Sequence, residues 1–308
     1  MTWYTGFFRE HQYELATQTF GPWFGERLIG LGLGLVIAPL LLVALYAVFR
    51  RAQQTWWLWG TAVVLVFLVI LQLLGPVYIA PLFNTYTPVD RAEVRDPVLS
   101  MARANGVPVD NIYVFDASRQ STRISANVSG ILNTMRVSLN DNLLNRTSVP
   151  EIKAVMGHEL GNYVLNHAYE GLMFFTLLVL GAFGFLKMAF DRALARWGAG
   201  WGVSGIADPA GLPLLMLLIS IYGFVLTPLV NTNIRVNEAE ADAFGLNAAR
   251  EPDGFAQTAL KLSEYRKLDP GPLEEFLFFD HPSGRARIHM AMQWKAEHLD
   301  ELASQTGR

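Results

Sequence analysis

The sequence predicts a mainly α membrane protein, with about four transmembrane helices and a small α+β domain assembled from two polar blocks. Three observations lead to that class. Hydrophobic residues make up 52% of the 308 residues and charged residues only 17%, against ~25% charged in an ordinary soluble domain. Four stretches are uncharged, or nearly so, over lengths close to the ~20 residues that cross a bilayer. Two polar blocks, Asn84–Glu170 and Thr232–Arg308, lie between and after these stretches. The net charge of −3 gives no reason to expect nucleic acid or a polyanionic partner. There is no cysteine, which excludes disulfides, thiolate catalysis and thiolate metal sites. Any metal must be held by His and carboxylate ligands.

The elements follow in chain order. Met1 to Trp23 is aromatic and mixed in charge, without the basic-then-apolar layout of a signal peptide. Leu28–Phe49 is uncharged over 22 residues. Trp56–Pro81 is uncharged too, with Trp56, Trp57 and Trp59 at one end and Tyr78 near the other. Trp and Tyr favour the two membrane edges, so both stretches read as spans. Gly171–Leu186 is shorter and spans if it runs on through Phe190. Ala210–Val230 contains Pro213 and Pro228, which bundled membrane helices tolerate. The expected organisation is 1–83 (N-terminal segment and first helix pair), 84–170 (first part of the polar domain), 171–230 (second helix pair) and 231–308 (second part). With four spans, both polar blocks fall on one side of the membrane. Basic residues flank both faces, so charge leaves the orientation open.

The chemistry centres on one helix. Ser148 caps, Pro150 fits the first turn and Glu151 completes a capping box. The helix then carries His158-Glu159-Leu160-Gly161-Asn162. In the H-E-x-x-H motif, two His four residues apart bind zinc from one helix face and the Glu acts as general base. Here Asn162 stands where the second His belongs. An amide oxygen is neutral and harder than imidazole, better suited to Ca or Mg than to Zn. His167 lies nine residues after His158, on the opposite face of a continuous helix, and is not expected to substitute. A second helix, Arg235 to Phe244, puts Glu238 and Asp242 on one face. In a gluzincin site a Glu so placed is the third ligand, and an Asp one turn later holds a ligating His. Glu240 reads as a solvated acidic residue.

Met156–Gly161 with Tyr163–His167, Arg235–Phe244, His281-Pro282-Ser283-Gly284-Arg285-Ala286-Arg287-Ile288 and Ser121–Gly130 together resemble the integral-membrane zinc metalloproteases typified by the type I CAAX prenyl endopeptidase. Gly75–Asn84 has that family's passage from span to domain. The resemblance implies a zincin-like α+β catalytic domain with a small sheet whose edge strand faces the active site. It implies His158 and Glu238 as ligands of one Zn2+ per chain when position 162 carries the family's His, with the metal weak or absent when it carries Asn162. Glu159 becomes the general base, and His281 the donor that stabilises an oxyanion. It implies Asp242, Arg235 and Arg287 behind the ligands, held by charge-assisted bonds. Asn127, within the strand Ile124, Ser125, Ala126, Asn127, Val128 to Gly130, becomes a substrate contact, with an extended peptide added along the strand. Relatives usually carry further transmembrane helices ahead of the segment resembling Arg9 to Trp23. The expectation is therefore a short natural form or a truncated one, whose intramembrane chamber is incomplete or closed by another copy.

The expected activity is a membrane-integrated zinc endopeptidase for membrane-associated or lipidated peptides, multi-pass in a bacterial inner membrane, with its oligomeric state open. One altered ligand among intact partners is the pattern of a designed inactivation. The alternative is a natural pseudoprotease that binds peptides or partners without cutting. A channel or transporter predicts ionisable residues inside the spans, and the first, second and fourth contain none.

Overall fold

The structure is a computed structural model that describes residues 1–129 and 136–306. Helices dominate, and among the described residues four are long and apolar enough to cross a membrane: Phe20–Arg51, Trp56–Leu82, His167–Trp201 and Pro209–Ala249. Each expected span lies within one of them. The third stretch, 16 apolar residues by sequence, belongs to a 35-residue helix that runs past Phe190. In chain order the α-helices are α1 (Arg9–Gln12), α2 (Phe20–Arg51), α3 (Trp56–Leu74), α4 (Ala92–Ala104), α5 (Asp141–Arg146), α6 (Val149–Val164), α7 (His167–Trp201), α8 (Leu212–Ala249), α9 (Pro252–Leu262), α10 (Pro272–Phe278), α11 (Gly284–Glu297) and α12 (Leu299–Thr306).

The chain forms two compact units. One comprises Arg27–Leu74 and Ala168–Leu229. Its core gathers Phe49, Trp56, Phe183, Leu186, Phe190 and Leu215. Gly60 lies so close to the Phe183 ring that a Cβ there would stand 2.3 Å from it. The outer faces keep large apolar side chains exposed, among them Leu35, Val43, Leu177, Phe224 and Val225, as helices facing lipid do.

The other unit comprises Met1–Glu26, Gly75–His167 and Val230–Arg308, so the two polar blocks fold together. Its sheet has the order β1-β2-β4-β3, from Tyr86–Pro88, Ile112–Phe115, Ala126–Ser129 (β3) and Arg136–Asn140 (β4). β2 and β4 run parallel; β1 and β3 pair antiparallel at the two edges. The sheet packs on α4 and α6 around Val94, Val98, Ile112, Val137, Leu139, Ile152, Met156 and Leu160. Alternation along β3 sends Ala126 and Val128 toward this core and leaves Ser125 and Asn127 exposed. Gly130, the last residue expected in the strand, lies outside the described residues. The N-terminal segment is tied on by the Arg123–Glu10 ion pair at 2.5 Å and by a bond from the Thr122 amide to the Leu15 carbonyl at 3.0 Å.

Candidate active site

α6 begins as its sequence dictates. The Glu151 carboxylate accepts from the Ser148 amide and hydroxyl, both at 2.8 Å, so the capping box is formed. What places α6 against α8 is a run of small residues. A Cβ on Gly245 would meet the His158 amide nitrogen at 2.7 Å, and one on Gly157 would meet the Gly245 carbonyl at 2.9 Å. Gly161 faces Ala241 and Phe244 in the same way. Two helix backbones in such contact bring His158 onto residues 80 or more positions further along. His158 Nδ1 lies 2.7 Å from Asp242 Oδ1, and Nε2 lies 3.3 Å from Glu238 Oε2.

Asp242 is fully buried and compensated. Arg287, from α11, donates through Nε to Oδ2 at 2.8 Å and through Nη2 to Oδ1 at 2.5 Å. This bidentate clamp holds the carboxylate while the other contact of Oδ1 fixes the His158 ring. With Nδ1–H given to Asp242, His158 turns Nε2 toward the cleft and Glu238.

Arg235 does something other than expected. It donates to the carbonyls of Glu275 and Phe279, at 3.2 and 2.6 Å, and to Thr232 Oγ1 at 3.0 Å. It therefore anchors α10 and the segment leading to His281, rather than bracing a site carboxylate. The Asn231 amide reinforces this through the Leu277 carbonyl at 2.8 Å. The segment delivers His281 with Nε2 3.4 Å from Glu238 Oε2 and Nδ1 2.8 Å from Asp280 Oδ1. Each ring nitrogen faces a carboxylate, so whichever carries the hydrogen has an acceptor.

Glu159 faces a cavity of about 230 Å³ bounded by Ile124, Ser125, Ala126, Glu238 and His281. Its carboxylate accepts from the Val128 amide. The β3 register, with the Asn140 amide bonded to the Ser125 carbonyl, points the Ala126 and Val128 amides away from β4 toward the open edge. The edge strand thus lies beside the site, as expected. Burial pushes the Glu159 carboxyl up to about 7, with the Glu238 charge adding to it, although His158, Arg287 and the Val128 amide pull the other way. Burial acts downward on His158, yet its bonds to Asp242 and Glu238 outweigh this and raise it to about 10. Proton and metal compete for that lone pair, so cation binding must displace this proton.

The reading of His167 needs correction. α6 does not run on through it. The helix ends at Val164 with Leu165 as its cap, Asn166 adopts φ +62°, and α7 starts at His167. The break carries His167 back, buried, until Nδ1 lies 2.8 Å from Asn162 Oδ1 and Nε2 lies 3.3 Å from Glu240 Oε2. Glu240 stays 58% exposed as a surface residue does, but it is not idle. Asn at a helix C-terminus tolerates the left-handed region, and Asn166 was the available signal for the break. The small-residue spacing of Gly157 and Gly161 against Ala241 and Gly245 was the signal for the close crossing.

Do these residues suit a metal? Ligands at 2.0–2.1 Å in a tetrahedron stand roughly 3.3–3.4 Å apart. His158 Nε2 is 3.3 Å from both Glu238 Oε2 and the Asn162 amide. Among the described residues no three His, Asp or Glu side chains form a set that could hold a metal ion. Two donors, the His158 imidazole and the Glu238 carboxylate, are therefore spaced to share a divalent cation, with the Asn162 amide nitrogen rather than its oxygen facing them, a weaker set than two imidazoles and a carboxylate.

Comparison with known proteins shows the family. The model of Peptidase family M48 matches residues 88–295, and that of the CAAX prenyl protease N-terminal region, described as five membrane helices, matches residues 1–85. The Bacillus subtilis protein named uncharacterized metalloprotease YhfN is 30% identical over 281 residues, 91% of this chain and 66% of that protein. A CAAX prenyl protease 1 homolog from Dictyostelium discoideum is 32% identical over 225 residues, 71% of this chain and 51% of that protein. The chain thus spans between half and two thirds of the length of these relatives. The fold resembles the crystal structure of S. mikatae Ste24p, with a TM-score of 0.80 at 22% identity, over 94% of this chain and 70% of that one. With the family model matched across the sheet, the His158 helix and the His281 segment, the chain belongs to peptidase family M48.

Proposed function

We propose that the chain is a membrane-embedded metalloendopeptidase for membrane-associated or lipidated peptides, with cleavage suppressed by Asn162. The observation that carries the reading is the convergence of His158, Glu159, Glu238 and His281 beside an open strand edge. In this reading a peptide lies extended along Ala126–Val128, its backbone bonded to the outward Ala126 amide and its side chains reaching past Asn127. A divalent metal, when bound, supplies Lewis acidity that polarises a carbonyl and lowers the pKa of water toward ~7. Glu159, poised near neutrality, takes the proton from the attacking water and returns it to the departing amine. The His281 Nε2 stands where a donor can meet the carbonyl oxygen as it gains charge. Asp242 and Arg287 fix the tautomer and angle of His158. In this reading the chain is a multi-pass protein of a bacterial inner membrane.

The Asn162→His variant tests this. Zinc measured by elemental analysis is expected to rise to about one per chain, from little in the parent. Cleavage of membrane-associated peptides is expected to appear with it. A zinc-loaded variant that cuts nothing sinks the protease reading. A second reading, peptide binding without cleavage, is favoured by the bonds that the Asn162 amide makes on both sides. It predicts that the parent binds peptides along β3 as tightly as the variant does.

A further inference from the structure

We propose that α10 lies in the headgroup layer of the bilayer, with Leu273 and Phe276 turned into lipid, so that the membrane surface braces the segment carrying His281. The brace is independent of metal binding and of cleavage.

The seven residues of α10, Pro272-Leu273-Glu274-Glu275-Phe276-Leu277-Phe278, are too few to hold a helix in water alone, where about 12–15 are needed even for good helix formers. At 3.6 residues per turn, Leu273, Phe276 and Leu277 share one stripe about 100° wide, and Glu274 and Glu275 lie off it. Both acids are occupied. Glu274 pairs with Lys267 at 2.6 Å and accepts from the Gly271 amide at 3.2 Å, and Glu275 accepts from the Ser283 amide at 3.1 Å. The apolar stripe is left open, with Leu273 69% exposed and Phe276 49%.

The height of the stripe follows from α8. The uncharged stretch Ala210–Val230 ends one residue before Asn231, and α8 continues to Ala249. The Asn231 amide donates to the Leu277 carbonyl at 2.8 Å, and Arg235 donates to those of Glu275 and Phe279 at 3.2 and 2.6 Å. At a rise of ~1.5 Å per residue, Asn231 and Arg235 stand about 1.5 and 7.5 Å beyond Val230. A bilayer with ~30 Å of hydrocarbon and ~40–45 Å in all leaves roughly 5–8 Å of headgroups on each side. Two side chains of a membrane helix therefore hold the end of α10 at headgroup height. They also satisfy carbonyls that its last turn leaves free. An apolar stripe at that height meets lipid, and interfacial helices sink such a face ~5–10 Å into the boundary between headgroups and acyl chains. Lipid on one side and α8 on the other then hold the link through Phe279 and Asp280 into His281.

The chain has no cysteine, so single introduced cysteines can carry a nitroxide. Leu273→Cys and Phe276→Cys, one at a time in the full chain, are labelled and reconstituted in vesicles of phosphatidylcholine and phosphatidylglycerol. Collision of the nitroxide with molecular oxygen, which concentrates in lipid, is compared with collision with a water-soluble nickel chelate. Phe224→Cys, on the exposed apolar part of α8, sets the lipid limit, and Gln257→Cys, exposed on α9, sets the water limit. At Leu273 and Phe276 the oxygen-to-nickel ratio is expected to exceed that at Gln257 several-fold. A ratio at the Gln257 level at either position overturns the proposal. Shielding from both reagents, the sign of a second copy or another polypeptide segment on the stripe, overturns it too. A parental melting temperature shows that each labelled protein is folded, and Leu273→Cys decides alone if Phe276→Cys does not fold. The brace is read from a nitroxide at Asp280→Cys in the same vesicles. Adding Leu273→Ser and Phe276→Ser is expected to raise its mobility several-fold, and unchanged mobility overturns the brace.

Discussion

Gly245→Ala is the substitution for which the packing makes the sharpest demand. The added Cβ would stand 2.7 Å from the His158 amide nitrogen, 3.0 Å from its Cα and 3.1 Å from the Gly157 carbonyl carbon. All three are backbone atoms of α6, so no side chain can swing aside. Restoring ordinary contact near 3.4 Å moves the helices apart by about 0.7 Å at that point, and overpacking of this kind costs typically ~1–3 kcal/mol. The separation is transmitted to the site, because Asp242 and Glu238 lie on the same helix within two turns. His158 is held at 2.7 Å by the first and 3.3 Å by the second, and both distances lengthen together. Gly223→Ala is the control on the same helix. Nothing lies within 4 Å of its Cβ position, and replacing glycine in a helix is neutral or favourable by ~0.5–1 kcal/mol. The assay is thermal unfolding in detergent, followed by tryptophan fluorescence, with zinc affinity measured in the Asn162→His background. Gly245→Ala is expected to lower the Tm by several degrees and zinc affinity by an order of magnitude, with Gly223→Ala changing neither downward. A Gly245→Ala protein with parental Tm and parental zinc affinity refutes the close-crossing argument.

Other outcomes follow from the same geometry. Asp242→Asn in the Asn162→His background leaves Arg287 without its carboxylate and weakens the hold on the His158 tautomer. Zinc affinity is expected to fall 10–100-fold, measured by chelator competition. Glu159→Gln tests the raised carboxyl in metal-free protein. A folded-state pKa of about 7 against an ordinary 4.5 means the fold binds this proton more tightly than the unfolded chain does. The contribution is therefore present below pH 4.5 and lost as pH rises to about 7. At ~1.4 kcal/mol per tenfold in proton affinity, Glu159→Gln is expected to gain up to about 3 kcal/mol at pH 8 and nearly nothing at pH 4.5. Melting curves at the two pH values check it, and equal gains at both refute it. Arg287→Ala strands the buried Asp242 charge and is expected to destabilise the fold by ~3–5 kcal/mol, read from the same melts.

What the sequence determined by itself is whatever is written locally. Uncharged runs of about twenty residues mark the spans, because the bilayer sets their length. Ser148, Pro150 and Glu151 mark the start of α6, because a cap uses only the first turn. The spacings of His158 to Asn162 and of Glu238 to Asp242 mark two helix faces, because 3.6 residues make a turn. Tertiary structure alone decided how those faces meet. Gly157, Gly161, Ala241 and Gly245 let two backbones touch, and that contact turns His158 onto Asp242, 84 residues away. The role of Arg235 was likewise invisible, since its partners are carbonyls on α10, some 40 residues away. His167 is the plainest case. Helical periodicity puts it on the far face, but one residue in the left-handed region reverses that. A single φ at Asn166 outweighs nine residues of spacing, because direction in a chain accumulates from every dihedral and a pattern of side chains records only the regular ones.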